Sequence, residues 1–223
     1  MSELILVSVT GLAREVLAMV RASGQYDVVG FLDDDRQLAD TTVDGAPVLG
    51  RVEDAVSFKH AFLLVCLASG RARESVVDRL RSVGVQESRY ATAIDPTVPY
   101  PDGCRIGRGS ILLRNVTLTA GVTLGAHVVA MPSVTFTHDD DVADFATFSA
   151  GVSLGGGVRI GRAADLGMNS SVRERTSVGD YATVGMGAAI LSNVPDGETW
   201  IGVPARTIDR HRMRFGARGD GER

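Results

Sequence analysis

From Ile106 onward the chain places an aliphatic or aromatic residue at every sixth position for fifteen steps: Ile106, Leu112, Leu118, Leu124, Ala130, Phe136, Val142, Phe148, Leu154, Ile160, Leu166, Val172, Val178, Val184 and Ile190. Only Ala130 in that series is small. Position five of each hexad is usually small or β-branched, as at Val116, Val122, Val128, Val134, Ala146, Val152 and Val158, and glycine recurs at position two, as at Gly107, Gly125, Gly155 and Gly161. Apolar residues at i, i+3, i+4 and i+7 would mark a helix, and this stretch lacks that spacing. Two inward positions in six describe a short strand followed by a corner. A unit that short cannot bury its own apolar face, so it must stack on copies of itself. Three such sides close a triangular coil of eighteen residues. About five coils at roughly 4.8 Å each predict a prism on the order of 24 Å tall. The position-two glycines are expected to serve the corners, where the backbone leaves ordinary φ/ψ space.

The first ninety residues follow a different pattern. Apolar runs alternate with amphipathic stretches: strands over Leu4–Val9, Asp27–Leu32, Ala61–Ala68 and Ser88–Ala93, helices over Leu12–Arg21 and Arg71–Val83, and an extended Thr42–Leu49 turning at Asp44-Gly45. Strand–helix alternation predicts a small parallel-sheet, Rossmann-like α/β domain. The expected division is residues 1–93 for this domain, 94–200 for the β-helix and 201–223 for a basic tail. The first strand–helix turn, Ser8 to Glu15, is where a phosphate-binding loop would lie, although Gly11 is its one glycine and Thr10 is equally suited to capping a helix.

Composition narrows the possibilities. The chain of 223 residues is 44% hydrophobic and 5% aromatic, with a formal net charge of −4. Its pI near 5.6 argues against a nucleic-acid-binding surface. Cys66 and Cys104 stand too far apart to suggest a disulfide framework, so a reducing cytoplasm is expected. The first residues show neither a basic n-region nor a signal-length apolar run, and no apolar span of 18 residues occurs, so neither a secretory leader nor a membrane span is expected.

The candidate chemistry centres on one histidine of four. His60 and His211 read as solvated surface residues. His127 and His138 occupy hexad positions four and three, outside the inward positions, so both are expected to project outward. His138 differs because it lies in Thr137-His138-Asp139-Asp140-Asp141, the most polar stretch of the repeat, with Asp140 at a position that is otherwise small and apolar. An adjacent carboxylate can fix an imidazole tautomer and stabilise its protonated form. Residues eighteen apart stack, so Gly156, within Gly155-Gly156-Gly157, is expected to form a shelf free of side chains above His138.

The hexad pattern resembles the hexapeptide-repeat acyltransferases, whose parallel β-helix is left-handed. The whole chain resembles, within them, the sialic acid O-acetyltransferase family, which includes N-acetyltransferases acting on UDP- and GDP-linked 4-amino sugars. The resemblance is carried by Ser8–Ala13, by Phe31-Leu32-Asp33-Asp34, by His138-Asp139 and by Gly202-Val203-Pro204-Ala205-Arg206. It implies a homotrimer with acetyl-CoA between adjacent helices, no metal, His138 as general base beside Asp139, and the amide of Gly156 as oxyanion donor. It further implies a cofactor surface including Thr147, Gly156, Met168 and Met186, and an acceptor site at Thr10, Gly11, Leu12, Asp33 and Asp34. The chain departs from the family at Ser8 and Thr10, where glycines are usual, at Leu12 in place of histidine, and at Thr147, where a second histidine is common. Three other readings are open on the residues: an acyltransferase acting on the amine or hydroxyl of a free sugar or other non-nucleotide small molecule, a zinc enzyme of the γ-carbonic-anhydrase type, which needs three histidines, and a non-catalytic sensor or scaffold.

Overall fold

The computed structural model describes residues 1–208, so the expectation for His211 lies outside the described residues. The N-terminal sheet has the order β3-β4-β2-β1-β5, built from β1 (Glu3–Val7), β2 (Asp27–Leu32), β3 (Thr42–Val43), β4 (Ala46–Gly50) and β5 (Phe62–Val65). Pairing is parallel except in the β3–β4 hairpin. The helices α1 (Gly11–Ser23) and α2 (Gly70–Ser82) pack against it. Thr10 caps α1, accepting from the Ala13 amide at 3.2 Å and donating to the Cys66 carbonyl at 2.6 Å. The parallel-sheet α/β domain expected from the alternation is therefore present. The strand expected over Ser88–Ala93 is not: a short 3-10 turn occupies Glu87–Arg89, Tyr90 makes one bridge to Leu63, and Ala93–Ile94 (β6) joins the second domain.

That second domain is a left-handed parallel β-helix. Two-residue strands recur at six-residue intervals from Arg105–Ile106 to Ala189–Ile190 and pair in parallel with the strand eighteen residues on, as Thr123 does with Asp141 and Asp141 with Arg159. Three flat faces result. The inward side chains form one apolar cluster from Val98 to Val194, interrupted at position five by Ser110, Asp140, Ser170 and Thr176. Ala130 lies in register with Phe148, and the Phe136 and Phe148 rings meet edge to face at 4.9 Å, so the one small residue of the position-one series sits beside the bulkiest part of the core. At the C-terminal end Thr199–Ile201 continues one face and Arg206–Thr207 turns back antiparallel on it, which extends the β-helix sheet to residue 207.

The corners correct one expectation about glycine. Positive φ falls at position four of the hexad, including Asn115, His127, Asp139, Phe145, Asn169 and Tyr181. Position-two glycines are required by crowding instead. A Cβ on Gly107 would lie 2.4 Å from the backbone of Gly125, and one on Gly161 would lie 2.4 Å from the amide of Asp180. Successive coils touch there, and no side chain fits between them.

The two domains form a dense junction. Arg73 of α2 is fully buried, and its guanidinium donates to the carbonyls of His127 (2.8 Å), Phe145 (2.8 Å), Ala68 (3.2 Å) and Leu67. Around it, Arg162 pairs with Glu74 at 2.6 Å and Arg71 lies 4.4 Å from the ring centroid of Tyr181. A Cβ on Gly70 would strike the Phe145 carbonyl at 2.2 Å, so α2 begins in direct backbone contact with the solenoid.

Candidate active site

The prism has three edges, marked by position-four residues. One carries His127, Phe145, Ala163 and Tyr181, and the α/β domain covers it together with the adjoining face of Ile111, Leu113 and Val129. A second carries Ser133, Gly151, Asn169 and Gly187. The third carries Gly121, Asp139, Gly157 and Arg175. Among the described residues, none of the hydrogen bonds or apolar clusters joining the two domains falls on that third edge.

His138 stands on the bare edge. Its side chain is 68% exposed and that of Asp139 is 76% exposed, and Nδ1 of the imidazole is 2.9 Å from Oδ2 of Asp139. A proton on Nδ1 shared with that carboxylate leaves Nε2 with its lone pair free. Directly above is Gly156, where an added Cβ would come within 2.2 Å of Nε2. Only glycine leaves the imidazole open on that side. The neighbouring amides are occupied, Gly155 on the Val172 carbonyl (2.9 Å) and Gly157 on the His138 carbonyl (2.8 Å). The Gly156 amide has no acceptor among the described residues. At equivalent corners of another edge an aspartate takes that amide, as Asp144 does for Ala126 and Asp180 for Arg162, both at 2.7 Å. At Gly156 the donor is left available.

Asp140 supplies a group that the sequence marked only as unusual. It is buried, and its carboxylate accepts the Thr137 amide at 2.8 Å and the Val158 amide at 2.9 Å. Burial pushes its carboxyl up to about 6, against the opposing pull of those two amides.

Several expected site residues fall elsewhere. Thr147 is buried in the domain junction, where its hydroxyl donates to the Ala68 carbonyl at 2.7 Å and accepts from Arg73 at 3.1 Å, so its side chain does not lie on an open cofactor surface. Leu12 is 5% exposed and packs in the core of the α/β domain, which removes its side chain from the acceptor site. His127 is not a surface residue: it is 1% exposed, stacked on Phe145 with centroids 5.0 Å apart and met edge-on by Tyr90 at 4.6 Å. Its outward direction is as expected, but the outside of that edge is another domain. Met168 and Met186 are exposed, on the Ser133–Gly187 edge rather than that of His138.

In the α/β domain, the ends of β1, β2 and β4 converge. Ser8 adopts φ of 76°, the conformation a glycine would take without strain, and donates its amide to the Leu32 carbonyl at 2.8 Å. Asp33 accepts the amides of Val9 (2.6 Å) and Asp35 (2.8 Å), joining the two loops. Asp34 is engaged by Arg79 at 2.9 Å and by the Val52 amide, contacts that hold its carboxyl below the usual range against the effect of burial. A cavity of about 220 Å³ adjoins them, lined by Asp33, Asp35, Arg36, Val48, Leu49 and Arg51 among others. Gly11 is open, with nothing within 4 Å of an added Cβ. Crevices beyond the carboxyl ends of parallel strands are where open α/β sheets bind ligands.

Residues 3–80 match the PglD N-terminal domain. The acetyltransferase domain of PglB from Neisseria gonorrhoeae, solved with acetyl coenzyme A, superposes with a TM-score of 0.84 at 28% identity, covering 93% of this chain and 99% of that one. The chain is thus similar, over nearly its whole length, to an acetyltransferase domain. PerB from Caulobacter crescentus, solved with CoA and GDP-perosamine, shares the fold, with a TM-score of 0.83 at 24% identity over 94% of this chain and 98% of that one. A Schizosaccharomyces pombe protein named as an acetyltransferase is 25% identical over 133 residues, 58% of this chain and 64% of its own length. The chain thus spans just under two thirds of that curated relative. Among the described residues, no helix is long and apolar enough to cross a membrane.

Proposed function

We propose that the chain transfers the acetyl group of acetyl-CoA to the amine of a nucleotide-linked amino sugar, with His138 as general base. The observation that carries this reading is the open His138–Asp139 pair beneath Gly156. With Nδ1–H held by Asp139, Nε2 takes the proton of the acceptor amine as its nitrogen bonds to the acetyl carbon. The Gly156 amide faces the oxygen on which negative charge develops. As the C–S bond breaks, the proton held on His138 passes to sulfur, releasing free CoA. Asp139 steadies the imidazolium between these two steps. A thioester is already activated, so no covalent enzyme intermediate is required.

The acceptor binds across Thr10, Gly11 and Asp33, where the α1 amides meet a diphosphate. That cradle belongs to a domain seated away from the His138 edge of its own chain, which favours a site completed by a neighbouring subunit. A homotrimer satisfies this arrangement by setting the Met168–Met186 edge of one subunit against the His138 edge of the next, with the cofactor between them. PerB, named with GDP-perosamine in its structure, supports a nucleotide sugar as acceptor.

Thiol release from acetyl-CoA, measured with UDP-, GDP- and dTDP-linked amino sugars and with free sugars, tests the reading. Turnover restricted to the nucleotide-linked amines supports it. Turnover on free sugars alone would move the acceptor site away from the α1 turn.

A further inference from the structure

Position five of the hexad is an inward position, filled elsewhere by Val, Ala, Ser or Thr along most of the solenoid; at residue 140 it holds a carboxylate. Asp140 is 1% exposed, and no cation pairs with it among the described salt bridges. A lone buried carboxylate is costly, so its retention within the solenoid calls for a role in holding structure or function. Its two oxygens accept amides from two different coils. One is Thr137, in the turn that carries His138 and Asp139. The other is Val158, two residues beyond Gly156 in the coil above. Ser110, at the same hexad position, accepts the Val128 amide eighteen residues on at 3.0 Å and donates to the Gly125 carbonyl at 3.1 Å, both in the coil above. The link to Thr137 is what Asp140 adds.

We propose that Asp140 is a positioning residue for catalysis: by accepting the Thr137 and Val158 amides together, it ties the turn bearing His138 to the coil bearing Gly156 and fixes the base beneath its oxyanion donor. This rests on His138 being the base. The turn is otherwise held by the Thr137 hydroxyl on the Leu154 carbonyl (3.1 Å), the Asp139 amide on the Ala120 carbonyl (2.9 Å) and the Gly157 amide on the His138 carbonyl (2.8 Å), while the imidazole itself contacts Asp139; Asp140 adds the one side chain that accepts amides from both coils at once. A misplacement of about 1 Å in such a constellation is enough to slow turnover by about 10²-fold. Protonation would convert one oxygen of Asp140 from acceptor to donor and release one of the two amides. His138 and Asp139 are the charged groups bearing on it, the first drawing its carboxyl down and the second pushing it up, both by less than burial does.

The test uses the full chain with Asp140→Val, the ordinary residue of the repeat, and Asp140→Ser, which can keep the Val158 bond as Ser110 keeps that of Val128. His138→Ala serves as reference. The expected result is kcat reduced about tenfold or more in Asp140→Val, with acetyl-CoA and acceptor KM within about twofold of wild type and a smaller loss in Asp140→Ser. Both variants should also show a shallower acid limb of kcat than wild type, because one titrating group near pH 6 is gone. If Asp140→Val fails to fold, Asp140→Ser alone carries the comparison. Wild-type kcat and an unchanged acid limb in a folded variant, with His138→Ala inactive, would overturn the positioning role and leave the base assignment standing. Full activity in His138→Ala would overturn the base assignment itself.

Discussion

Two edges of the same prism carry a histidine eleven residues apart, and they have become opposite environments. At His127 the ring is enclosed by Tyr90 and Phe145, both ring nitrogens lack partners, and burial holds the imidazole down at about 4. At His138 the ring is open, bonded to Asp139, and roofed only by glycine. The repeat places both side chains outward with equal regularity. What lies outside is decided by the other domain, through Arg73 and the Gly70 contact, and a six-residue period holds no information about that. A solenoid therefore sets the direction of a side chain, and its function depends on which edge is left uncovered.

The largest effect is expected where the covered edge is broken. Arg73→Met keeps the aliphatic stem but leaves the carbonyls of His127, Phe145 and Leu67 without their Arg73 donor inside the junction. Loss of about 3–5 kcal/mol is expected, since each buried carbonyl left unsatisfied costs about 1–3 kcal/mol. Chemical denaturation should show the α/β domain separating first.

On the open edge, Gly156→Val would bring a methyl-bearing carbon against Nε2 and force the ring aside. Acetyl transfer should fall by about 10²–10³, or about 2.7–4 kcal/mol in the barrier, with the fold retained. Circular dichroism beside steady-state kinetics checks both halves of that expectation.

The third prediction uses pH to separate the edges. His127 binds its proton more weakly folded, at about 4, than unfolded, at about 6.5, so its contribution is complete above pH 6.5 and is lost as pH falls toward 4. That loss amounts to about 3 kcal/mol if the junction does not relax. His127→Phe should flatten this part of the stability profile, measured by thermal unfolding between pH 4 and 7, and leave turnover at pH 8 close to wild type.

The smallest effect concerns the acceptor cradle. Because nothing lies within 4 Å of a Cβ at Gly11, Gly11→Val can report on ligand rather than on packing. It should raise acceptor KM at least tenfold, about 1.4 kcal/mol, with acetyl-CoA KM unchanged. Asp33→Ala is the poorer probe, since Asp33 also holds the Val9 and Asp35 amides.

What the sequence made legible follows the same division. The register of the coils, the inward column and the stacking of Gly156 on His138 could all be read from a period of six and a coil of eighteen. The α/β strands and helices were readable from their alternation, except at Ser88–Ala93, where Tyr90 bridges to the α/β sheet and Ala93 already pairs with the β-helix. The burial of His127 and Thr147 was not readable, because it depends on where α2 docks. Leu12 follows the helical periodicity of Val16 and Val20 inward, a signal that the resemblance to a ligand-binding turn obscured. Asp140 stood out as the wrong residue type for its position, but the two amides that it accepts depend on folded geometry.

The most direct test of the account compares the rates of the two histidine variants under one condition. At pH 8, with acetyl-CoA and a nucleotide-linked amino sugar, His138→Ala should lose about 10²–10⁴ in kcat with CoA affinity retained. His127→Phe should turn over at a rate near wild type. The reverse outcome, an active His138→Ala beside a folded but inactive His127→Phe, would contradict the assignment of chemistry to the uncovered edge.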